Sequence, residues 1–341
     1  MQGLADHARA GVTTPAPRRG AGGGPPSERR IELRGSDGRV LTIGAERCAI
    51  MGIVNLTPDS FSDGGRYGSC ERALLRIDEL IAAGAELIDI GAESTRPGAE
   101  LLTAEAEWER LHELLAALSR RPVAAVLSID TRHLLTARRA AEAGFRLLNL
   151  TFPQHLLRPA HSLAGASAPD PQAIAEVLQG FDGLVMMHAR GTPATMRQLT
   201  DYGPDLCNTL IRELADIVSA LTDPRLRARV IYDPGLGFAK TAAQSLQLLG
   251  QLGRLRAALG GPLLVGASRK SLLGAVTGLP VEERLVPSVV AAVLAAQQGA
   301  AIVRVHDVAA TRAALELVRA VSSPAATPAP PTQGAAAGGE P

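Results

Sequence analysis

The sequence predicts an α/β fold, a (β/α)8 TIM barrel, and three observations carry the prediction. Eight short apolar runs end in polar or glycine-rich residues, and helical patterns separate most of them. The stretch that holds them is about 290 residues long, close to the usual size of such a barrel.

The eight runs are 49–55, 86–90, 124–129, 146–150, 183–188, 230–233, 262–266 and 301–305. Near-continuous apolar content, as in Leu263-Leu264-Val265 and Ala301-Ile302-Val303, suits parallel strands covered on both faces. Between the runs, 70–83 follows helical spacing through Leu74, Leu75, Ile77, Leu80 and Ile81. Segment 103–118 opens with Thr103 as an N-cap and carries Glu105 and Glu107 in its first turn, where the helix dipole favours negative charge. Ala106 leaves its capping box incomplete. Helices are also expected over 134–143, 205–221, 241–259, 288–298 and 308–321, with only a short one near 171–178 in the Pro- and Ala-containing stretch 151–182. An open doubly wound sheet is the rival, but no G-x-G-x-x-G follows the first strand.

One domain is expected over 30–322. Residues 1–29 and 323–341 lack an apolar period and are expected to be disordered tails. Of the 341 residues, 46% are hydrophobic and 20% charged, with a net charge of +1. That balance gives no reason to expect a nucleic-acid or membrane-surface partner. Three widely spaced cysteines, Cys48, Cys70 and Cys207, and no secretory signal point to a reducing cytoplasmic setting. The apolar region 289–305 is broken by Gln297, Gln298 and Gly299 and reads as helix then strand rather than a membrane span. Among 35 basic side chains only Lys240 and Lys270 are lysines. A lysine kept against such a bias marks either chance or a site that needs a compact ammonium.

Barrel chemistry belongs at the C-terminal ends of strands. Asn55, Asp89, Asp130, Asn149, His188, Asp233, Ser268 with Lys270, and Arg304 with His306 all fall there. Caps and turns use the same residue types, but eight such positions converge on one mouth. The loop Asn55–Gly65 holds Asp59 and a lone aromatic, Phe61, and suits a closing lid. The loop Glu93–Ala99 places Arg96 among Ser94, Thr95, Pro97 and Gly98, a fit for a phosphate group. Residues 304 and 306 share a strand face, so Arg304 and His306 make a second anion clamp. A structural histidine is the alternative for His306, and for His188 it is at least as good a reading. Asp130 and Asp233 can each accept two parallel N–H donors from an aminopyrimidinone edge, and Asn149 suits a mixed edge. Buried aspartates paired for structure alone are the other reading.

Met51 to Gly65, Glu93 to Ala99, Ser128-Ile129-Asp130-Thr131, Met187-His188 with Gly191-Thr192-Pro193, Asp233 to Thr241, Gly266 to Ser271 and Arg304 to Val308 closely resemble the dihydropteroate synthase family. The likeness covers residues 46–320 in order. It implies a pterin-binding (β/α)8 barrel, a homodimer, that condenses 6-hydroxymethyl-7,8-dihydropterin pyrophosphate with p-aminobenzoate to 7,8-dihydropteroate and pyrophosphate, on the route to folate. Sulfonamides would compete for the p-aminobenzoate site. The resemblance implies that Asp130, Asn149, Asp233 and Lys270 hold the pterin and that Asn55 ligates Mg²⁺. It gives Asn55, Thr95, Arg96, Arg304 and His306 to the pyrophosphate, and Phe61, Pro97, Phe238 and Ser268 to p-aminobenzoate. Asp59, Arg96, Lys270, Arg304 and His306 are the catalytic candidates. Leu150 and Thr151 stand where the family has an aspartate and an apolar residue, and Ala189 stands where a methionine is common. A pterin-binding homologue with weak or no synthase activity, a pterin-dependent methyltransferase and a Schiff-base aldolase using Lys270 are the competing readings.

Overall fold

The computed structural model describes residues 29–44, 47–56, 65–93, 101–158 and 170–322, with backbone alone for 65–69. The expected tails, apart from Arg29, fall outside these residues, as do Asp59, Phe61, Thr95, Arg96 and Pro97.

The chain opens with an antiparallel hairpin, β1 (Ile31–Arg34) and β2 (Val40–Ile43). It continues through β3 (Ala49–Asn55), α1 (Gly65–Ala82), β4 (Leu87–Gly91), α2 (Ala104–Leu118), β5 (Val126–Thr131), α3 (Leu134–Glu142) and β6 (Leu147–Leu150). Next come α4 (Pro153–Leu157), α5 (Pro171–Gln179), β7 (Gly183–Met187), α6 (Leu206–Ser219), α7 (Pro224–Ala228) and β8 (Val230–Asp233). The last part holds α8 (Ala242–Leu249), α9 (Leu252–Leu259), β9 (Leu264–Val265), α10 (Ser271–Thr277), α11 (Leu285–Gln297), β10 (Ile302–Val305) and α12 (Val308–Ser322).

Strands β3 to β10 form one parallel sheet in the order β8-β7-β6-β5-β4-β3-β10-β9. A single parallel bridge between Tyr232 and Leu263 links its two ends and closes the ring, supported by the Tyr232 amide donating to the Pro262 carbonyl at 2.9 Å. The (β/α)8 barrel predicted from alternation is therefore the observed fold. Thr103 caps α2, its side chain accepting from the Ala106 amide, and Glu105 and Glu107 sit in the first turn as expected.

Alternate residues along each strand face opposite ways, and the two sets pack separately. Ile50, Ile88, Ile90, Leu127, Ile129, Leu148, Leu184, Met186 and Val303 join the helices in the large outer core. Ala49, Met51, Leu87, Val126, Leu147, Val185, Ile231, Leu264 and Ile302 fill the barrel interior together with Ile31, Leu33 and Ile43. The hairpin thus closes the N-terminal end of the barrel.

Four features depart from expectation, the first being α4, a second short helix in the stretch 151–182. Ile31, Leu33, Leu41 and Ile43 alternate around Ser36-Asp37-Gly38, but a pattern of eight barrel strands gives this hairpin no place. Segment 241–259 is two helices, α8 and α9, because α8 stops at its C-cap Gly250. The strand expected over 262–266 is reduced to the pair Leu264–Val265, and α10 follows the seventh-strand loop.

Candidate functional site

Above the apolar interior, the inward-facing set turns polar. Continuing the parity of Leu87, Val126, Leu147, Ile231 and Ile302 toward the C-terminal end reaches Asp89, Ser128, Asp130, Asn149, Asp233 and Arg304. The strands deliver these side chains to one mouth because their period is two.

Asp89 is the hub. It is fully buried, and three neighbours satisfy it: Arg304 Nε donates to Oδ2 at 2.6 Å, Asn149 Nδ2 donates to Oδ2 at 2.9 Å, and Ser128 Oγ donates to Oδ1 at 2.5 Å. The other arm of the Arg304 fork, Nη2, donates to Asp130 Oδ2 at 3.0 Å. Thr151 Oγ1 donates to Asp130 Oδ1. Gly91 makes the close approach possible, since a Cβ there would stand 3.2 Å from the Asp130 Cβ. Asp130 keeps about a fifth of its side chain open to the mouth (19%). Burial, then the neighbouring Asp89 charge, pushes its carboxyl up to about 6, with Arg304 and Thr151 pulling the other way.

The turn after β8 carries the next group. Asp233 Oδ1 accepts from the Gly235 amide at 2.7 Å, and burial raises its pKa against the opposing charge of Lys270. Gly235 sits at φ +61, and a Cβ there would meet the His188 carbonyl at 1.9 Å, so only glycine fits. Two ammonium groups hold the carbonyls of this turn. Lys240 Nζ donates to Gly235 O at 3.1 Å and Phe238 O at 3.0 Å. Lys270 Nζ donates to Leu236 O at 2.7 Å and lies 4.9 Å from the centre of the Phe238 ring. Burial lowers Lys240 to about 7 and Lys270 to about 8, the latter against the pull of Asp233. Phe238 meets Phe152 edge to face at 6.0 Å, and Phe152, Met187 and Ala189 form a small apolar cluster beside it.

His188 faces the other way. The parity that turns Met187 inward turns His188 toward α6, where Nε2 lies 2.8 Å from Glu213 Oε2 and Nδ1 accepts from Lys240 at 2.9 Å. Burial, then the Lys240 charge, lowers its pKa to about 4, so the ring is neutral and Nε2 carries the proton. Burial would raise Glu213, but hydrogen bonds from His188 and Arg190 bring it down to about 2. The network is structural: it fixes the turn that carries Phe238.

At the opposite edge, Ser268 Oγ lies 3.0 Å from His306 Nδ1. Arg269 pairs with Asp307 at 2.6 Å and adopts a left-handed φ of 58. Asn55, His306, Arg269, Arg72 and Arg76 line a cavity of about 460 Å³ beside α1. Among the described residues no cluster of three or more His, Cys, Asp or Glu could hold a metal ion.

The structure therefore brings Asp130, Asn149, Asp233, Lys270 and Arg304 to one mouth, with Ser268, His306 and Asn55 along its rim. His306 follows the end of β10, and the two side chains have different partners, carboxylates for Arg304 and Ser268 for His306. Asp89 stands at a strand end in the sequence with no role attached, and Thr151 has none. The inward parity of 87-89 and 147-149-151 is the signal that finds both.

A family model described as "Pterin binding enzyme" matches residues 51–306. The chain is 40% identical over 279 residues to the dihydropteroate synthase of Synechocystis sp., covering 80% of this chain and 90% of that protein. Its fold is similar to the Yersinia pestis dihydropteroate synthase solved with a sulfonamide drug complex, with TM-score 0.72, 36% identity, and coverage of 86% of this chain and 99% of that one. It is similar, too, to the Xanthomonas albilineans enzyme with 4-aminobenzoic acid, with TM-score 0.71, 37% identity, and coverage of 87% and 99%.

Proposed function

The chain belongs to the dihydropteroate synthase family of pterin-binding enzymes, and on that premise we propose that its barrel mouth reads the pterin with carboxylates and draws off the diphosphate with cations. The reaction is the transfer of a dihydropterin-methyl group from pyrophosphate to the amine of p-aminobenzoate.

One observation carries the reading. Arg304 links Asp89 to Asp130 across the mouth that also holds Asn149, Asp233 and Lys270. The two carboxylates of the mouth, Asp130 and Asp233, suit the paired N–H donors of the aminopyrimidinone edge. Asn149 supplies both a donor and an acceptor, and Lys270 is a compact donor for a ring acceptor. The electron-rich dihydropterin stabilises a cation at its exocyclic methylene, so the bond to the leaving oxygen breaks in an SN1-like step. The protein's task is to stabilise charge growing on the departing diphosphate. Arg304, His306 and Asn55 serve this on the described side, and Thr95 and Arg96 complete the grip from their loop. Phe238 and Ser268, with Phe61 and Pro97, hold p-aminobenzoate so that its free amine meets the methylene. Asp59, in the first loop, helps the site close over both substrates.

Asn55 is a neutral oxygen donor in a cavity lined also by Arg72, Arg76, Glu79, Arg269 and His306, and among the described residues no cluster of three or more His, Cys, Asp or Glu surrounds it. That donor set fits Mg²⁺ that stays largely hydrated and relies on substrate phosphates. Bound there, Mg²⁺ would supply charge neutralisation for the leaving diphosphate.

Two further assignments belong to this reading. We place the enzyme in the cytoplasm, supported by its free cysteines. Among the described residues no helix is long and apolar enough to cross a membrane. We assign it a homodimer through α11, where Val286, Val290 and Leu294 share one face at 69%, 50% and 46% exposure. Sedimentation of Val290→Glu should then show monomers where the parent shows dimers.

The deciding experiment incubates purified protein with the pterin pyrophosphate, labelled p-aminobenzoate and Mg²⁺. Labelled dihydropteroate and one pyrophosphate per turnover are expected. Pterin binding without product would select the non-catalytic homologue instead.

A further inference from the structure

We infer that Thr151 is a positioning residue that fixes the Asp130 carboxylate for the pterin edge. The inference rests on the pterin reading of the mouth.

Asp130 has two oxygens, and both are held from within the barrel. Arg304 Nη2 takes Oδ2 at 3.0 Å, and the Thr151 hydroxyl donates to Oδ1. Arg304 alone leaves the carboxylate free to rotate about its last torsion. A second donor on the other oxygen removes that freedom before a ligand arrives, which lowers the ordering cost of binding.

The backbone places Thr151 for this task. Its hydroxyl is at the inward position that follows Leu147 and Asn149 on β6. Asn149 itself pairs with Asp130 in the strand register. Immediately afterwards the chain turns at Phe152, a non-glycine residue at φ 58 and ψ 52. Phe152 is 1% exposed, anchored in the cluster with Met187 and Ala189 and against Phe238. Strand pairing on one side and a buried aromatic on the other leave Thr151 little room to move.

The hydroxyl also acts on charge. Asp130 is faced by the negative groups Asp89 and Glu93, lies near Glu107, and is balanced by Arg304 and Lys270. A donated hydrogen bond favours the ionised carboxylate, the form that accepts two ring N–H groups.

The test compares Thr151→Val, which keeps the shape, and Thr151→Ser, which keeps the hydroxyl, in the full-length enzyme. Losing one hydrogen bond to a charged group should raise KM for the pterin pyrophosphate about tenfold. In Thr151→Val, KM for p-aminobenzoate should stay within about twofold, and the acid limb of pterin kcat/KM should move to higher pH. Thr151→Ser should restore both properties. An unchanged pterin KM and acid limb in Thr151→Val overturns the inference. So does an equal loss for both substrates that serine fails to rescue. Asp130→Asn is run beside them. If it loses pterin binding while Thr151→Val does not, only the role of Thr151 falls. If it binds pterin normally, the pterin reading of the mouth falls with it.

Discussion

Arg304 Nε lies 2.6 Å from Asp89 Oδ2 at the floor of the mouth, and Asp89 is fully buried. A buried carboxylate in this position orients the guanidinium whose other arm reaches Asp130. Asp89→Asn keeps the shape, removes the charge and leaves Arg304 with one anionic partner. Because breaking a buried ion pair leaves an uncompensated charge, a stability loss of about 3 kcal/mol is expected by urea unfolding. Turnover should drop by at least about tenfold, since the donor proposed for the transition state is no longer preorganised. Wild-type kcat in a folded Asp89→Asn enzyme would remove the hub from the mechanism.

Lys240 tests the turn rather than the chemistry. Its ammonium ties the carbonyls of Gly235 and Phe238 and the Nδ1 of His188. Lys240→Met retains the length but leaves those acceptors unpaired, at about 1–3 kcal/mol for a buried polar group. With Phe238 loosened, KM for p-aminobenzoate should rise more than KM for the pterin. Equal changes in both would mean the turn is not what places Phe238.

Much of this was legible in the sequence because a barrel ties side-chain direction to strand parity. Asp130, Asn149, Asp233 and Arg304 stand at strand ends and converge as expected. His188 also stands at a strand end, yet it points outward to Glu213, because it is one residue out of step with Val185 and Met187. Strand-end position alone could not separate it from Asp233. Asp89 was visible, but its role as hub depends on Ser128, Asn149 and Arg304 meeting across three other strands. No local pattern encodes that meeting. The hairpin had a local signal in its alternation, but its destination under the barrel is a tertiary fact.

That destination gives a prediction free of catalysis. Leu33 is fully buried among Val126, Leu147, Val185 and Ile231, at the end of the barrel away from the mouth. Leu33→Ala should cost about 2–5 kcal/mol of stability, the range for large-to-small changes in a core. At a temperature where the variant stays folded, kcat/KM should match the parent. A loss of activity without a loss of stability would tie the plug to the active site.

Glu107 sets a pH dependence. It is fully buried on α2 and accepts from Thr131 Oγ1 at 2.6 Å, while Oε1 has no hydrogen-bond partner among the described residues. Burial raises its pKa from 4.5 to about 7, helped by the charges of Glu93 and Asp130. Between these values the folded state holds a proton that the unfolded state has released. The contribution of Glu107 to stability is therefore complete below pH 4.5 and is lost as pH rises through about 7. Glu107→Gln should flatten that fall in unfolding experiments at pH 5 and pH 8. An identical slope in both proteins would mean the carboxyl is already ionised when folded.

Lys270 tests whether the mouth needs a point charge. Its Nζ donates to Leu236 O at 2.7 Å and sits beneath Phe238, and a Cβ on Gly266 would stand only 3.9 Å from it. A planar fork is wider than an ammonium and presents its donors in fixed directions. Lys270→Arg keeps the charge but has to displace either the Leu236 carbonyl or the Phe238 ring. In the proposed reading both substrates border this point, so pterin affinity and turnover should each decline by roughly tenfold or more, about 1.4 kcal/mol apiece. The chain otherwise uses arginine almost everywhere, which makes this substitution a fair contest between charge and shape. Arginine performing as well as lysine in both measurements would show that charge alone suffices there, and that the rarity of lysine in this chain carries no meaning at position 270.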